Sequence, residues 1–246
     1  MNFIWFVIFS ALVFLLSIVF YERFRATTLY ALAIGGIVNA NFFHAGNFPI
    51  DCFGLPFGID SVIYSLFAFC VVIMLIKTNK KEAYILSFSS VIAIMFSALM
   101  QLVVDLFIIG SCSEIWVTFL NFTVSAVASI IAIAVMIEVV SLLKKKNVNQ
   151  YLLLVIGMII VTLLNSVIYY PVVLLINGVP QNILKLLLTS VIGKTISTVW
   201  GVICLMLMNK IEKFMVKKGI EKEMEKNILF SDGKQITLEE ITKDKE

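Results

Sequence analysis

Long apolar runs alternate with short polar breaks along almost the whole chain. The runs lie near Phe3–Phe20, Thr27–Phe43, Asp60–Ile76, Ala83–Ile109, Ile115–Leu143, Tyr151–Asn177 and Ile183–Met208. A helix rises about 1.5 Å per residue, so roughly 20 apolar residues cross about 30 Å of hydrocarbon. The predicted fold class is all-α: a polytopic membrane helix bundle of about seven transmembrane helices. The fourth and fifth runs are long enough to require tilt or protruding ends. Residues 1–208 make the transmembrane domain and residues 209–246 a charged tail.

The breaks differ in charge. Arg23 and Arg25 follow the first run, Lys77, Lys80 and Lys81 the third, and Lys144, Lys145 and Lys146 the fifth. The tail after the seventh run is also rich in lysine, and the breaks after the second, fourth and sixth runs hold neither lysine nor arginine. Positive charge is retained on the cytoplasmic side. The pattern therefore predicts an N-terminus outside, a C-terminus inside and a multi-pass protein of the cell membrane, most simply a prokaryotic cytoplasmic membrane. The first run lacks a small-residue cleavage site and reads as a retained span.

Composition narrows the function. The chain has 246 residues, is 61% hydrophobic and carries a net charge of +3, with a mean hydropathy of +1.03. A soluble domain is excluded. The basic residues serve topology beside anionic lipid, which leaves no basic folded face for nucleic acid. Catalysis finds little material: His44 is the one histidine, and no HExxH helix, GxSxG elbow or glycine-rich phosphate cradle occurs. No enzyme activity, metal site or cofactor is expected. Cys70 and Cys204 lie in apolar runs as packing residues, whereas Cys52 and Cys112 fall in outer breaks where an oxidising exterior would permit a bridge.

Three segments carry further signals. The break His44–Ile59, HAGNFPIDCFGLPFGI, is too apolar for an ordinary exposed loop, so it reads as a half-inserted hairpin or as a loop resting on the headgroups. The tail from Asn209 to Asn227 suggests a short amphipathic helix continuing the last span, and Thr237–Glu240 fits a capping-box start. Asp60-Ser61-Val62-Ile63-Tyr64 echoes Asn165-Ser166-Val167-Ile168-Tyr169 three spans later, as a faint inverted repeat would.

Polar residues inside apolar runs are costly in lipid and turn inward. These are Asn39 and Asn41 in the second span, Asp60 opening the third, and Gln101 and Asp105 one helical turn apart in the fourth. Asn121 lies in the fifth span, Asn165 in the sixth and Lys194 in the seventh. In the topology above they concentrate in the outer half and converge towards the midplane, where a carrier would hold a polar solute. The candidate substrate-binding set is Asn39, Asp60, Gln101, Asp105, Asn165 and Lys194. Asn and Gln also serve as interhelical glue, worth about 0.6 kcal/mol each, and Asp60 could simply cap its helix. Glu138 lies in the inner half and is expected to pair with Lys144–Lys146. Lys194, too deep to reach either surface, needs an internal acceptor, with Asp105, Asp60 or the Asn165 carbonyl as candidates.

The order of these features resembles the vitamin-uptake-transporter-like (VUT) family, which includes transporters of queuosine precursors. FGIDSVIYSLFAF matches its acidic residue after an apolar loop at Asp60, and VASIIAIAVMIEVVSLLKKK matches a later stretch at Ala128-Ser129 and Glu138. NSVIYYPVVLLINGVP offers Asn165 where the family has Asp, and TSVIGKTISTVW supplies the intramembrane lysine at Lys194. The family's glutamine position holds Val135 or Met136, and its Thr-Pro after the lysine is absent. The resemblance spans most of residues 27–208. It implies import of a small polar heterocycle, a 7-deazaguanine queuosine precursor or a relative. Amide groups would read the base edge, aromatic rings would sandwich it, and separate coupling subunits or a homo-oligomer would serve as partners. Two alternatives stand beside it: a substrate-binding subunit of an energy-coupling-factor vitamin importer, and a membrane signalling or scaffold protein acting through its tail.

Overall fold

The computed structural model describes residues 2–24, 26–45, 49–52, 55–108, 112–177 and 183–217. Its helices are α1 (Asn2–Phe24), α2 (Ala26–Ala45), α3 (Ile59–Lys77), α4 (Lys80–Ile108), α5 (Cys112–Lys145), α6 (Gln150–Asn177) and α7 (Ile183–Lys217). Each apolar run is a helix, so the all-α expectation holds. Among the described residues, four helical stretches are long and apolar enough to cross a membrane: Lys80–Val104, Phe119–Lys145, Gln150–Ile176 and Leu188–Phe214. Large apolar side chains stay exposed on the bundle exterior, among them Trp5 and Leu16 on α1 and Phe88, Ile92 and Phe96 on α4. Such a coat suits lipid, since water-facing surfaces rarely carry large apolar patches.

Helix α3 is the axis. From Ser61 to Leu75 every residue is buried, and α1, α2, α4, α5, α6 and α7 all pack on it. A helix apolar all round has no polar face to give to solvent and belongs inside. Small residues let the neighbours close in. A Cβ on Gly157 of α6 would come within 2.9 Å of Val72 Cγ2, and one on Gly201 of α7 within 3.1 Å of Phe69 Cδ2. Phe69 in turn meets Phe14 of α1 edge-on, at 5.4 Å between centroids.

The breaks form defined caps. Asn79 accepts the Glu82 amide at 2.9 Å ahead of α4, and Asn149 accepts the Tyr151 amide at 2.9 Å ahead of α6. Both are N-caps, short side-chain acceptors replacing the missing intrahelical partner. Between α5 and α6, Asn147 takes φ 56°, while Val148 N donates to Leu143 O and Asn147 N to Lys144 O. This is a Schellman termination with asparagine in the left-handed position.

The segment between α2 and α3 is a β-hairpin. β1 (Pro49–Cys52) pairs antiparallel with β2 (Leu55–Gly58), Pro49 opposite Gly58 and Cys52 opposite Leu55. β1 packs on α1, and β2 on α7 and α3, so the hairpin lies against the bundle. Pairing its own backbone groups is what lets an apolar segment do this. Helix α7 runs past Met208 to Lys217, so the start of the tail continues the last helix as expected. The Thr237–Glu240 capping box lies outside the described residues, and so do the side chains of Cys52 and Cys112.

Candidate functional site

The intrahelical and interhelical hydrogen bonds of the serines are the key to the interior. Ser10, Ser65, Ser87, Ser90 and Ser197 each return their hydroxyl to the carbonyl one turn back. A serine bonded this way spends its donor on its own helix and acts as a small packing residue. Ser129, Ser166 and Ser190 instead face other helices, and Lys194 joins them.

Lys194 Nζ donates to Ser166 Oγ at 2.9 Å. Ser166 Oγ and Ser190 Oγ share a hydrogen bond at 3.1 Å, linking α6 to α7 a second time. One residue back on α6, Asn165 Nδ2 donates to Ser129 Oγ of α5 at 3.4 Å. The Lys194 ammonium also stands over the Tyr64 ring of α3, 5.1 Å from its centroid, a cation–π contact strengthened by removal from water. Lys194 is 4% exposed and Ser166 1%. Four helices thus place an ammonium, three hydroxyls, an amide and an aromatic ring in one buried neighbourhood.

The depth of this group follows from helical rise. Ser129 to Lys144, Ser166 to Tyr151, Tyr64 to Lys77 and Lys194 to Glu212 each correspond to about 20–27 Å along the helix. All four reference residues lie at one end of the bundle, so the cluster sits well inside it. Pro171 of α6 is just above. Having no N–H, it leaves the Val167 carbonyl without its usual intrahelical donor, which loosens the ladder beside Asn165 and Ser166.

The reference end is polar throughout. Lys77 Nζ, at the end of α3, donates to Glu212 Oε2 at 2.6 Å and to Asn209 Oδ1 at 2.7 Å on α7. Asn209 Nδ2 donates to Tyr151 Oη at 3.1 Å, and Tyr21 Oη of α1 reaches Glu212 Oε1 at 3.4 Å. Tyr30 of α2 donates to Glu82 Oε2 of α4 at 2.9 Å. The breaks that carry the basic residues therefore meet at one end, as an up-and-down bundle requires.

Glu138 departs from expectation. Its carboxylate takes Lys80 Nζ at 2.7 Å and Tyr84 Oη at 2.6 Å, both on α4, where Lys144–Lys146 of its own helix was expected. Lys144 turns away to the last carbonyls of α3, donating to Leu75 O at 2.8 Å and Thr78 O at 3.1 Å. A cation at a helix C-terminus answers both the dipole and the unpaired carbonyls.

Of the residues picked out from sequence, Asn165 and Lys194 both belong to this group, Asn165 bonded to Ser129 and Lys194 to Ser166. Asn39 does not join them: it is exposed, and its amide returns to Gly35 O of its own helix at 2.7 Å. Gln101 is half-buried on α4, a helix that packs on α5, α2 and α3. The side chains of Asp60 and Asp105 lie outside the described residues. Sequence reasoning named none of Tyr64, Ser129, Ser166 and Ser190 as site residues. A signal did exist: Tyr64 and Ser166 belong to the two copies of the echoed segment, and both copies reach this cluster from antiparallel helices. Among the described residues no group of three or more His, Cys, Asp or Glu side chains could hold a metal ion. No family model, no curated protein and no solved structure matches the chain.

Proposed function

We propose that the chain is a seven-span solute transporter of the cytoplasmic membrane, N-terminus outside, importing a small polar heterocycle such as a 7-deazaguanine queuosine precursor. The observation that carries this reading is the buried group of Lys194, Ser166, Ser190, Asn165, Ser129 and Tyr64 at mid-bundle. An intramembrane lysine costs about 2.5–3.5 kcal/mol by insertion scales. A bundle needing only glue would be better served by the serines alone.

The chemistry fits a planar, hydrogen-bonding solute. Lys194 and the hydroxyls supply donors to a ring carbonyl, the Asn165 amide offers both a donor and an acceptor to a base edge, and the Tyr64 ring supplies a stacking face. Lys194 donates to Ser166 and faces the Tyr64 ring, and an incoming carbonyl would compete with the Ser166 hydroxyl for the ammonium. Asp60, next to the echoed Ser61, is assigned to the same solute path. The tail is assigned no part in transport.

The deciding measurement is uptake by a queuosine-auxotrophic strain supplied with individual precursors. Parent protein should restore queuosine from one of them, and the Lys194→Met variant should not, at equal membrane abundance. Failure of every precursor would remove the proposed cargo, and normal uptake by Lys194→Met would remove the site. Orientation is read separately. A cysteine at position 146 should label only from the cytoplasm and one at position 47 only from outside, because positive charge stays inside.

A further inference from the structure

The polar end of the bundle holds a cleft of about 470 Å³ lined by Lys77, Gln150, Tyr151, Asn209, Glu212 and Lys213. It opens where α3 and α7 end and α6 begins, about 20 Å or more along the helices from Lys194. Its charge is unbalanced, with two lysines against one glutamate. Glu212 is already engaged by Lys77 and Tyr21, so the Lys213 charge is the one in excess. Lys213 is exposed, and the Gln150 amide and the Tyr151 hydroxyl add neutral donors at the α6 N-terminus. The cleft thus holds one lysine charge in excess and several N–H and O–H donors, with room for far more than a water.

We infer that this cleft binds a negatively charged phosphate group. Basic pockets between membrane helices near the headgroup level collect anionic lipids, and a phosphate offers several acceptor oxygens to a cluster of N–H and O–H groups. Lys213 would supply the charge, Gln150 and Tyr151 the orienting hydrogen bonds, and Lys77, held by Glu212 and Asn209, the fixed floor. Two sources carry this chemistry: the headgroup of an anionic phospholipid, or a free phosphate ester. Occupancy would tie α3, α6 and α7 together at this end of the bundle.

The test uses the full-length purified chain in detergent, with native mass spectrometry and thermal midpoint as readouts. Phosphatidylglycerol, phosphatidylcholine, glycerol 3-phosphate and inorganic phosphate are the probes. The expected result is saturable retention of phosphatidylglycerol over phosphatidylcholine with a raised midpoint. Lys213→Gln should weaken it about fivefold, the loss of one lysine's attraction to an anionic group. Gln150→Ala should weaken it less. Both variants leave the Lys77–Glu212 pair intact, so neither depends on a variant that fails to fold. Lys146→Gln, an exposed lysine outside the cleft, should change nothing. Competition by glycerol 3-phosphate or inorganic phosphate at similar concentration upholds the site and assigns it to a free ester, whereas indifference to them assigns it to lipid. Equal weakening by Lys146→Gln overturns the proposal, and so does the absence of saturable retention of phosphatidylglycerol over phosphatidylcholine together with no retention of glycerol 3-phosphate or inorganic phosphate.

Discussion

Lys77 and Lys194 are both drawn out of bulk water, and the fold gives them different company. Lys77, at the polar end, meets a carboxylate and an amide oxygen, and its side chain keeps 18% of its exposure. Lys194, in the middle, is 4% exposed and meets a serine hydroxyl and the face of a tyrosine. At the polar end, water can still solvate whatever the partners leave unsatisfied, and a strong partner fixes three helices in place. At mid-bundle, a hydroxyl and a ring meet the ammonium where the polar end offers a carboxylate. On the transport reading proposed above, the first contact would stay and the second would exchange.

The largest effect expected from this contrast is on transport. Lys194→Met keeps the apolar length and removes the charge, so it should insert at least as well as the parent while uptake falls more than tenfold, the scale of a charge-assisted hydrogen bond of roughly 1.5–3 kcal/mol. Ser166→Ala, which removes the Lys194 acceptor together with the bond to Ser190, should leave Lys194 charged and lower apparent affinity several-fold. A Ser166→Ala variant as dead as Lys194→Met would mean that the hydroxyl is not exchangeable and that the contrast is misdrawn.

A smaller effect is expected where α3 and α6 close between the two regions. Gly157→Ala puts a Cβ 2.9 Å from Val72 Cγ2 and 3.3 Å from Val140 Cγ2, so two stiff buried side chains must give way. Overpacking of this kind costs about 1–3 kcal/mol. The thermal midpoint in detergent should drop, and Val72→Ala added to it should restore part of the loss. No rescue would show that the seam is not closed by that contact.

Next comes the polar end itself. Glu212→Gln removes the partner of Lys77 and should lower stability by about 1 kcal/mol, less at high salt, with uptake retained. Gln101→Ala, on α4, is expected to shift apparent uptake affinity only a few-fold, less than Ser166→Ala. If Gln101→Ala had the larger effect, the solute path would run through α4, away from the Lys194 group. The smallest change belongs to Glu138→Gln. Its pair with Lys80 is about half exposed on both sides, and exposed pairs are weakened by solvent and by side-chain entropy. Its midpoint should stay within experimental scatter.

Much of the architecture could be read one helix at a time. Apolar runs report helices because burial and backbone satisfaction in hydrocarbon are local demands. The alternation of basic breaks anticipated that Tyr21, Lys77, Tyr151 and Glu212 would meet at one end. The depth of Lys194 within its run made an internal partner necessary. Its identity could not be obtained that way. Serine is small and common in apolar helices, and Ser65 and Ser166 look alike in sequence. One bonds the Ser61 carbonyl of its own helix, and the other accepts from Lys194 of α7. Asn39 and Asn165 separate in the same way: exposed Asn39 returns to Gly35 of its own helix, while buried Asn165 reaches Ser129 of α5.

By itself the sequence determined the helices, their order, the gathering of positive charge at one end and the presence of a buried cation, all set by hydrophobicity and charge along a single strand of chain. The tertiary structure alone decided that α3 is the axis, that Glu138 pairs across to Lys80 and that Lys194 rests on Ser166 and Tyr64. It also made the apolar loop before α3 a hairpin lying against α1 and α7. These are relations between faces of different helices. A helix's own periodicity says which residues share a face, but which face meets which neighbour is fixed only when all the helices pack together.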